Sequence, residues 1–400
     1  MTGKGRILII ADDLTGAMDS AGPFAGRGVE TWVVADPAAC DPSSLKSAHV
    51  VSVNTDSRHL SGPVAAERVA EAVHRLADTR EVLFKKIDST LRGNVVAETL
   101  AMLRESGRQA AWIAPAFPAQ GRTVVEGIVK VNGVELARTD FARDALSPPP
   151  LAPLHQVFAS AAPGYDVRSV KARDCTTGER VIRVVDAVDN DDLACIAKIS
   201  AMEPGNVLLV GSAGLTHALA AQMFAGAPVT GVRPGVEGTI LFVVGTRAMA
   251  SAQQVEALRL EAGTSVLSLP NGMGENLAFS ESANLVLQAT AATVPASAEE
   301  VAAHLARHAL SAVRAMGVKA VVATGGDTAM ALLSASGNPA VRVHGDLMPG
   351  IPYARILVDG TPIWLVTKAG GFGGKTALRD IARELRRAQL STQELWVNLP

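Results

Sequence analysis

Short apolar runs rich in β-branched residues alternate with helix-like segments along most of this 400-residue chain. In the first part of the chain we predict strands over Ile7 to Ala11, Thr31 to Ala35, Val50 to Asn54 and Val82 to Phe84, and helices over Met18 to Gly26, Val64 to Leu76 and Val95 to Leu103. Strands that alternate with helices form parallel βαβ units. Aromatic residues make up only 4% of the chain, so the apolar residues are mainly aliphatic, which suits helices packed on buried parallel strands. The pattern therefore predicts an α/β fold.

Length and a glycine- and proline-rich segment predict two domains. Four hundred residues exceed the roughly 100–200 residues of one domain. Residues 226–238 read GAPVTGVRPGVEG and separate two α/β patterns, as a linker would. We predict one domain over residues 1–228 and a second over 236–400, each a largely parallel sheet flanked by helices. Asn132-Gly133 between two alternating runs predicts a β-hairpin inserted in the first domain.

Charge and cysteine content exclude several classes of protein. The 37 Lys and Arg residues nearly balance the 39 Asp and Glu residues, so we expect neither nucleic acid nor a membrane surface as a partner. Three widely spaced cysteines fit neither a disulfide framework nor a paired zinc site. No apolar stretch approaches the roughly 18 residues of a membrane span, and the N-terminus lacks a signal-peptide core. We expect a cytoplasmic protein, and its apolar composition is compatible with a homo-oligomer.

Two adjacent carboxylates, Asp12 and Asp13, directly follow the first predicted strand. Open α/β sheets bind ligands beyond the carboxyl ends of their strands. Thr15 and Gly16 then open a helix, whose backbone N–H groups can bind an anion. One aspartate alone would suffice as a helix cap, which is the alternative interpretation. Because two adjacent carboxylates exceed what a cap requires, we predict that both belong to an active site.

A second polar segment, FKKIDSTLRGNV, follows the strand that begins at Val82. Its charged residues are Lys85, Lys86, Asp88 and Arg92. Arginine offers a planar fork to a carboxylate or phosphate, lysine offers a point charge, and Asp88 and Ser89 can bind sugar hydroxyls. A solvated charged turn is the alternative. This density of charge between two apolar elements favours a binding site for a polyol that carries an anionic group. Arg122, which follows a later predicted strand, is a weaker candidate for the same site.

Three glycine-bearing segments in the second half each follow a predicted strand. They contain Gly245 and Thr246; Gly325, Gly326, Asp327 and Thr328; and Gly370 and Gly371. Glycines let the backbone approach a ligand, and helix N-termini present N–H donors to phosphates. Each segment alone could be a tight turn, but three in one domain favour a nucleotide site. Neither a Walker A sequence nor a G-x-G-x-x-G after the first strand occurs, and the scattered histidines identify no metal ligands.

Together these segments resemble those of the four-carbon acid sugar kinase family. IADDLTGAMD, KKIDSTLRGN, PAFPAQGRTV, GSAGL, GTRAMASAQQ, TGGDTA, PGIP and KAGGFG occur in the family's order over residues 6 to 380. The resemblance implies an N-terminal sugar-acid-binding domain and a C-terminal domain that binds ATP without a Walker motif. It also implies that ATP and Mg²⁺ are used to phosphorylate the terminal hydroxyl of threonate, erythronate or 3-oxo-tetronate.

The resemblance implies roles for particular residues. Substrate contacts fall on Asp12, Asp13, Lys86, Asp88 and Arg92, and nucleotide contacts on Thr246, Gly325 to Thr328 and the region of Gly370. Phosphoryl transfer depends mainly on positioning and charge neutralisation, with a carboxylate that orients or deprotonates the attacking hydroxyl. Asp12, Asp13 and Asp88 are the candidates for this base. Ala248 and Ala369 stand where the family commonly has serines, and the region from Arg143 to Pro150 diverges. The choice of acid, which depends on contacts near Arg122 and in the loop over residues 143–153, is left open.

Two other classes of function stay open from the sequence. A phosphatase or dehydrogenase of similar acids would use the Asp12-Asp13 strand end, but the Asp-x-Asp nucleophile and the dinucleotide fingerprint that such enzymes need are both missing. A non-catalytic sensor would bind sugar acid and nucleotide without turning them over. Stabilisation by ligands without release of ADP would distinguish the sensor from the kinase.

Overall fold

The computed structural model describes residues 6–77, 82–144, 147–202, 205–227, 234–246, 248–275 and 277–387. The chain divides into two compact units, residues 1–229 and 230–400. The point of division falls within residues 228–233, which lie outside the described residues. The predicted linker over residues 226–238 therefore stays a prediction.

Eight strands of the first unit, counted over its described residues, form one parallel sheet. The strands of this unit are β1 (Ile7–Ala11), β2 (Thr31–Val34), β3 (Val50–Asn54), β4 (Val82–Lys86), β5 (Ala110–Ala114), β6 (Arg122–Val125), β7 (Ile128–Val131), β8 (Val134–Glu135), β9 (Asp166–Lys171), β10 (Val181–Asp186) and β11 (Val207–Gly211). The parallel sheet has the order β2-β3-β1-β4-β11-β5-β10-β9. Every residue of β1, β3, β5 and β11 is buried, as expected for strands covered on both faces.

Helices connect these strands. They are α1 (Leu14–Ala25), α2 (Gly62–Leu76), α3 (Val95–Glu105), α4 (Leu154–Ala161), α5 (Asn190–Ser200) and α6 (Ala213–Met223). The first helix begins at Leu14, four residues before the predicted Met18, because the Asp13 side chain accepts a hydrogen bond from the Gly16 N–H and caps it. The arrangement confirms the predicted α/β class.

A small antiparallel sheet, β6-β7-β8, confirms the predicted inserted hairpin. Asn132 and Gly133 connect β7 to β8 with φ values of 49° and 82°. Two consecutive residues with positive φ are the signature of a type I′ turn, which matches the twist of paired strands. The proline-rich segment 147–153 contains neither helix nor strand, as predicted.

The second unit has a mixed sheet. Its strands are β12 (Ile240–Val244), β13 (Thr264–Pro270), β14 (Asn284–Thr290), β15 (Ala320–Thr324), β16 (Ala340–Met348), β17 (Ile351–Val358) and β18 (Thr361–Lys368). In the order β13-β14-β12-β15-β18-β17-β16, the first five strands are parallel and the last two are antiparallel additions. The helices are α7 (Met249–Arg259), α8 (Ala298–Met316), α9 (Gly326–Ala335) and α10 (Ala377–Arg386).

Each sheet has one point at which the direction of winding reverses. In the first unit, β1 and β4 are neighbours, but the chain leaves β1 towards β2 and leaves β4 towards β5 on the other side. In the second unit, β12 and β15 have the same relationship, with β13 and β16 on opposite sides. Connections that diverge from neighbouring parallel strands leave a crevice beyond their carboxyl ends, where α/β proteins bind ligands. The topology alone thus indicates one ligand position in each unit.

Candidate active site

Two carboxylates and an arginine form the centre of the site in the first unit. Asp12 and Asp13 follow the carboxyl end of β1, and Arg58 lies in the loop after β3. The Arg58 guanidinium donates four hydrogen bonds of 2.8–2.9 Å, two to each carboxylate. Burial would raise the pKa of Asp12, but attraction to Arg58, together with Lys85 and Lys86, brings it below its ordinary value. Asp13 therefore both caps α1 and pairs with Arg58. Asp12 also pairs with Arg58 and is a buried, ionised carboxylate.

A second ion pair lies beyond the carboxyl end of β4. Arg92 Nε donates to Asp88 Oδ2 over 2.8 Å, and the Thr90 hydroxyl donates to the same oxygen. Burial would raise the pKa of Asp88, but Arg92 and Arg58 hold it well below its usual range. The influence of Arg58 on Asp88 means that the two ion pairs belong to one cluster. Ser89 lies half-buried in the same turn.

Lys86, the last residue of β4, lies against the first turn of α1. A Cβ on Gly16 would be 3.2 Å from Lys86 Nζ and 2.6 Å from Asp13 Oδ1, so only glycine permits this approach. Lys86 is 5% exposed, and within the described residues no hydrogen bond from its ammonium group is found. Its charge is thus available to a ligand beyond the carboxyl ends of β1 and β4.

Asp19, also on α1, faces the same region. Burial raises its pKa to about 6, with Lys86 acting to lower the pKa and Asp13 to raise it. Its Oδ1 atom is buried and has no hydrogen-bond partner among the residues that the structure describes. The sequence contained Asp19 within IADDLTGAMD, but a carboxylate one turn into a helix gives no signal of such surroundings.

Arg122 approaches the cluster from β6. Its Nη1 atom donates to the Gln120 carbonyl, and its Nε atom is buried without a partner in the described part of the chain. Burial lowers the pKa of Arg122, while Asp88 raises it and Arg92 lowers it further, so Arg122 lies within electrostatic range of both. No ion pair between Arg122 and a carboxylate is found over the described ranges.

Lys85 is not part of the anion-binding cluster, contrary to the sequence-based prediction. Its side chain is fully buried and pairs with Glu98 of α3 over 2.8 Å. Glu98 also accepts a hydrogen bond of 2.7 Å from the Ser57 hydroxyl. Successive residues of a strand face opposite sides of the sheet, so Lys85 and Lys86 cannot both reach one site. Lys85 instead supports the loop that carries Arg58.

The proline-rich loop borders the cluster. The Ser147 hydroxyl lies 2.9 Å from His59 Nδ1 and donates to the Arg58 carbonyl over 3.2 Å. Asp144 Oδ2 lies 4.0 Å from Arg92 Nη1. Residues 145 and 146 lie outside the described residues. The described part of the loop therefore contacts both arginines of the two ion pairs.

The three glycine-bearing segments of the second unit meet beyond β12, β15 and β18. A Cβ on Gly370 would lie 2.5 Å from the Thr246 hydroxyl oxygen, and one on Gly325 would lie 3.6 Å from Thr246 Cβ. A Cβ on Gly245 would lie 2.2 Å from the Thr328 hydroxyl oxygen. Glycine at positions 245 and 370 therefore allows the three loops to pack closely against one another.

One of these segments opens helix α9. Gly325, with φ of 104°, is the N-cap, and no side chain caps the helix. The N-terminus of a helix carries a partial positive charge and binds anions, and here it begins at Gly326. Gly371 is exposed in the segment after β18. The residues predicted for the nucleotide site are thus brought together at the crevice that the topology indicates.

The two alanines at family serine positions keep ordered backbones. The Ala248 N–H donates to the Thr246 hydroxyl over 3.2 Å, and the Ala369 carbonyl accepts from Lys368 over 2.9 Å. Relative to the serines that the family commonly has, Ala248 and Ala369 therefore lack only the side-chain hydroxyl.

No cluster of three or more His, Cys, Asp or Glu side chains that could hold a metal ion occurs among the described residues. The paired carboxylates Asp12 and Asp13 are directed at Arg58. Over the ranges that the structure describes, no helix is both long and apolar enough to cross a membrane.

Two family models match the chain. A model described as a sugar-binding N-terminal domain matches residues 7–219, and one described as a nucleotide-binding C-terminal domain matches residues 275–378. The D-threonate kinase of Cupriavidus necator is 36% identical over 93% of this chain and 96% of its own. The D-threonate kinase of Salmonella typhimurium is 32% identical over 94% of this chain and 97% of its own.

Solved structures show the same fold. A Salmonella typhimurium protein described as a putative tRNA synthase superposes with a TM-score of 0.75 at 19% identity, covering 96% of this chain and 99% of that chain. A Haemophilus influenzae protein gives a TM-score of 0.68 at 22% identity, covering 95% and 100%. At these identities the likeness concerns the fold alone. The family models and the curated relatives together show that the chain belongs to the four-carbon acid sugar kinase family.

Proposed function

We propose that this protein is an ATP-dependent kinase that phosphorylates the terminal 4-hydroxyl of a four-carbon sugar acid. One observation carries the proposal: the cluster beyond β1 and β4 combines paired carboxylates with two cations, Lys86 and Arg122, for which no carboxylate ion pair is found among the described residues. A sugar acid supplies the matching chemistry, since it has one carboxylate for a cation and several hydroxyls for carboxylates. Family membership supports kinase chemistry at this cluster.

The three aspartates would orient the substrate hydroxyls. Asp12, Asp13 and Asp88 are candidates for the group that accepts the proton of the attacking hydroxyl, a role that in kinases consists largely of orientation. Asp12 and Asp13 each accept two hydrogen bonds from Arg58. Asp88 Oδ1, by contrast, receives only a 3.3 Å contact from Arg92 Nη2 among the described residues. We therefore favour Asp88 as the residue that contacts the reacting hydroxyl.

The cations would hold the charges of the substrate. Arg92 and Arg122 lie on the Asp88 side of the cluster and offer two planar guanidinium groups, and Lys86 lies against the first turn of α1 and offers a point charge. We propose that one of the unpaired cations binds the carboxylate of the acid. Ser89 in the adjacent turn would add a hydroxyl contact.

ATP would bind at the glycine-bearing segments of the second unit. Gly245, Thr246, Gly370 and Gly371 would approach the nucleotide closely, and the N-terminus of α9 at Gly325 to Thr328 would bind phosphate oxygens. Magnesium commonly reaches kinases as a nucleotide complex, with phosphate oxygens and waters as most of its ligands. The described residues contain no group of three or more His, Cys, Asp or Glu side chains that could hold a metal ion, so the nucleotide and water would supply most ligands of Mg²⁺.

D-threonate is the first acid to test, because the relatives at 36% and 32% identity are named D-threonate kinases. A D-erythronate kinase of Heliobacterium modesticaldum is 27% identical, and a 3-oxo-tetronate kinase of Methylobacterium radiotolerans is 29% identical. The loop around Ser147, which contacts Arg58 and His59, is the segment that we propose selects among these acids. Assembly into a homo-oligomer stays a prediction.

The test is a coupled assay of ADP release with ATP and Mg²⁺ against threonate, erythronate and 3-oxo-tetronate as separate epimers. We expect acid-dependent ADP release with at least one of them. Absence of turnover with every acid would overturn the proposal. Thermal stabilisation by acid and nucleotide without ADP release would instead identify a sensor.

A further inference from the structure

Lys368, the last residue of β18, is a fully buried lysine without a counter-ion. Its side chain is 0% exposed, and its ammonium donates to the carbonyls of Ala369, Gly370 and Phe372 over 2.9, 3.3 and 3.0 Å. No carboxylate pairs with it over the described ranges. Burial of an unpaired charge is costly, so such a group usually has a partner or a function. Lys85 of β4 is buried to the same degree, but it pairs with Glu98.

Two side chains of α7 bind the backbone of the loop over residues 369–374, whose carbonyls also accept from Lys368. The Ser251 hydroxyl donates to the Gly370 carbonyl over 2.6 Å. Gln254 Nε2 donates to the carbonyls of Phe372, Gly373 and Gly374 over 2.9, 3.2 and 3.1 Å. Both side chains are buried, with 0% of each residue exposed. Five of the six carbonyls from residue 369 to residue 374 are therefore turned towards Lys368 and α7.

The orientation of the carbonyls determines that of the N–H groups. In a trans peptide the N–H points away from the carbonyl of the same plane. The N–H groups of residues 370, 371, 373, 374 and 375 accordingly point away from Lys368 and α7. A run of backbone N–H groups that points to one side is an anion-binding concavity.

We propose that Lys368 is a positioning residue of the nucleotide site, which holds the loop 369–374 so that its N–H groups bind phosphate oxygens and supplies the positive charge beneath them. The inference rests on the proposed use of ATP and deepens it. Lys368 acts through the loop and its field, while the loop amides contact the phosphates. The missing counter-ion of Lys368 is thus the polyphosphate of the ligand.

The proposal predicts that nucleotide binding is linked to a proton. Burial lowers the pKa of Lys368 to about 8 in the free protein, and no charged side chain contributes to this shift among the described residues. The groups that face it are Thr324, its partner on β15, and Ser251 and Gln254 on α7, none of which titrates. An arriving polyanion raises the pKa of a neighbouring ammonium. Binding above pH 8 must therefore take up a proton, and affinity must fall as pH rises further.

The test measures binding of ATP and ADP by calorimetry between pH 6.5 and 9.5, without sugar acid. At pH 8.5, buffers with different ionisation enthalpies report proton uptake. We expect uptake by the wild type, none by Lys368→Met, and an affinity at pH 7 that is lower by about tenfold or more in the variant. Lys319→Met, which removes an exposed lysine of the same unit, is the matched control and should behave like the wild type.

Gln254→Leu keeps Lys368 but releases three loop carbonyls, and it should also weaken binding while retaining proton uptake. The wild-type measurement needs no variant, so misfolding of Lys368→Met leaves the test intact. Binding without proton uptake in the wild type, or wild-type affinity in a folded Lys368→Met, would overturn the inference. Proton-linked binding without phosphorylation of any acid would contradict the proposed function alone, whereas turnover without proton uptake would contradict this inference alone.

Discussion

The Lys85 ammonium lies 2.8 Å from the Glu98 carboxylate, and neither side chain is more than 1% exposed. Lys85 also donates to the Ile10 carbonyl on β1, and Glu98 accepts from Ser57, the neighbour of Arg58. This buried pair thus connects β1, β4, α3 and the loop that carries the arginine of the candidate site. The pair is structural, but it sets the position of a proposed functional residue.

Removal of one partner of this pair should destabilise the protein strongly. Lys85→Met leaves the Glu98 carboxylate buried without its counter-ion, which costs about 3–5 kcal/mol. The double variant Lys85→Met/Glu98→Leu should recover most of this loss, because the unpaired charge is gone. Urea denaturation measures the free energy of unfolding of the wild type, the two single variants and the double variant. Losses in the double variant that equal the sum of the single losses would contradict the interpretation.

Arg58 should be needed for activity in addition to its part in folding, because it is the buried counter-ion of two carboxylates of the candidate site. Arg58→Met leaves two adjacent carboxylates without their shared cation, which should lower kcat/KM on the order of 100-fold or more through misplacement of the substrate. Arg58→Lys should rescue little, since lysine lacks the planar fork that donates to both carboxylates. Steady-state kinetics with D-threonate measure the effect.

Arg138→Met is the matched control for Arg58, because Arg138 is 77% exposed in an ion pair with Glu135. It should retain wild-type kinetics. Equal activity of Arg58→Met and Arg138→Met would show that the Arg58 cluster has no part in the reaction.

Asp19 should make stability depend on pH near neutrality. Burial raises its pKa to about 6 in the folded protein, whereas the unfolded value is 3.8. The folded state therefore binds the proton more tightly, and Asp19 costs stability that is fully expressed above pH 6 and disappears as pH falls towards 4. Asp19→Asn should be more stable than the wild type at pH 7, by up to about 3 kcal/mol, with a smaller difference at pH 5. Denaturation at both pH values checks this, and a pH-independent difference would contradict it.

The parts of the site that the sequence predicted are those that follow strand ends. Asp12, Lys86 and Gly325 come directly after apolar runs, and in a parallel sheet such positions share one edge. Local pattern was sufficient there, because strand, turn and helix follow one another within a few residues. The Asn132-Gly133 dipeptide was likewise a local signal, and it placed the hairpin correctly.

The parts that it missed depend on contacts between distant segments. Arg58 lies in a polar loop, NTDSRHLSG, where its only available signal was a cation shortly after a strand. Lys85 was wrongly counted among the residues of the anion site, because charge alone does not reveal a partner such as Glu98, which lies on the following helix. Lys368 and Gln254 act on backbone carbonyls, which no side-chain pattern encodes.

Several strands were also not predicted, for a related reason. The segment DVRSVK of β9 is polar and lies at the edge of its sheet, with each residue half-buried or exposed. The segment TSVLSLP of β13 is likewise an edge strand and mostly half-buried. Edge strands carry weak hydrophobic patterns, and pairing with their neighbours rather than local sequence determines their structure.

The most direct test of the central claim is identification of the product formed from D-threonate, ATP and Mg²⁺. Phosphorus NMR and mass spectrometry of the reaction should show one new phosphate monoester on the 4-hydroxyl, formed with ADP in equal amounts. Asp88→Asn should form it at a rate lower by on the order of 100-fold. If no four-carbon acid is phosphorylated by the folded protein, or if the phosphate lies on another hydroxyl, the proposed function is wrong.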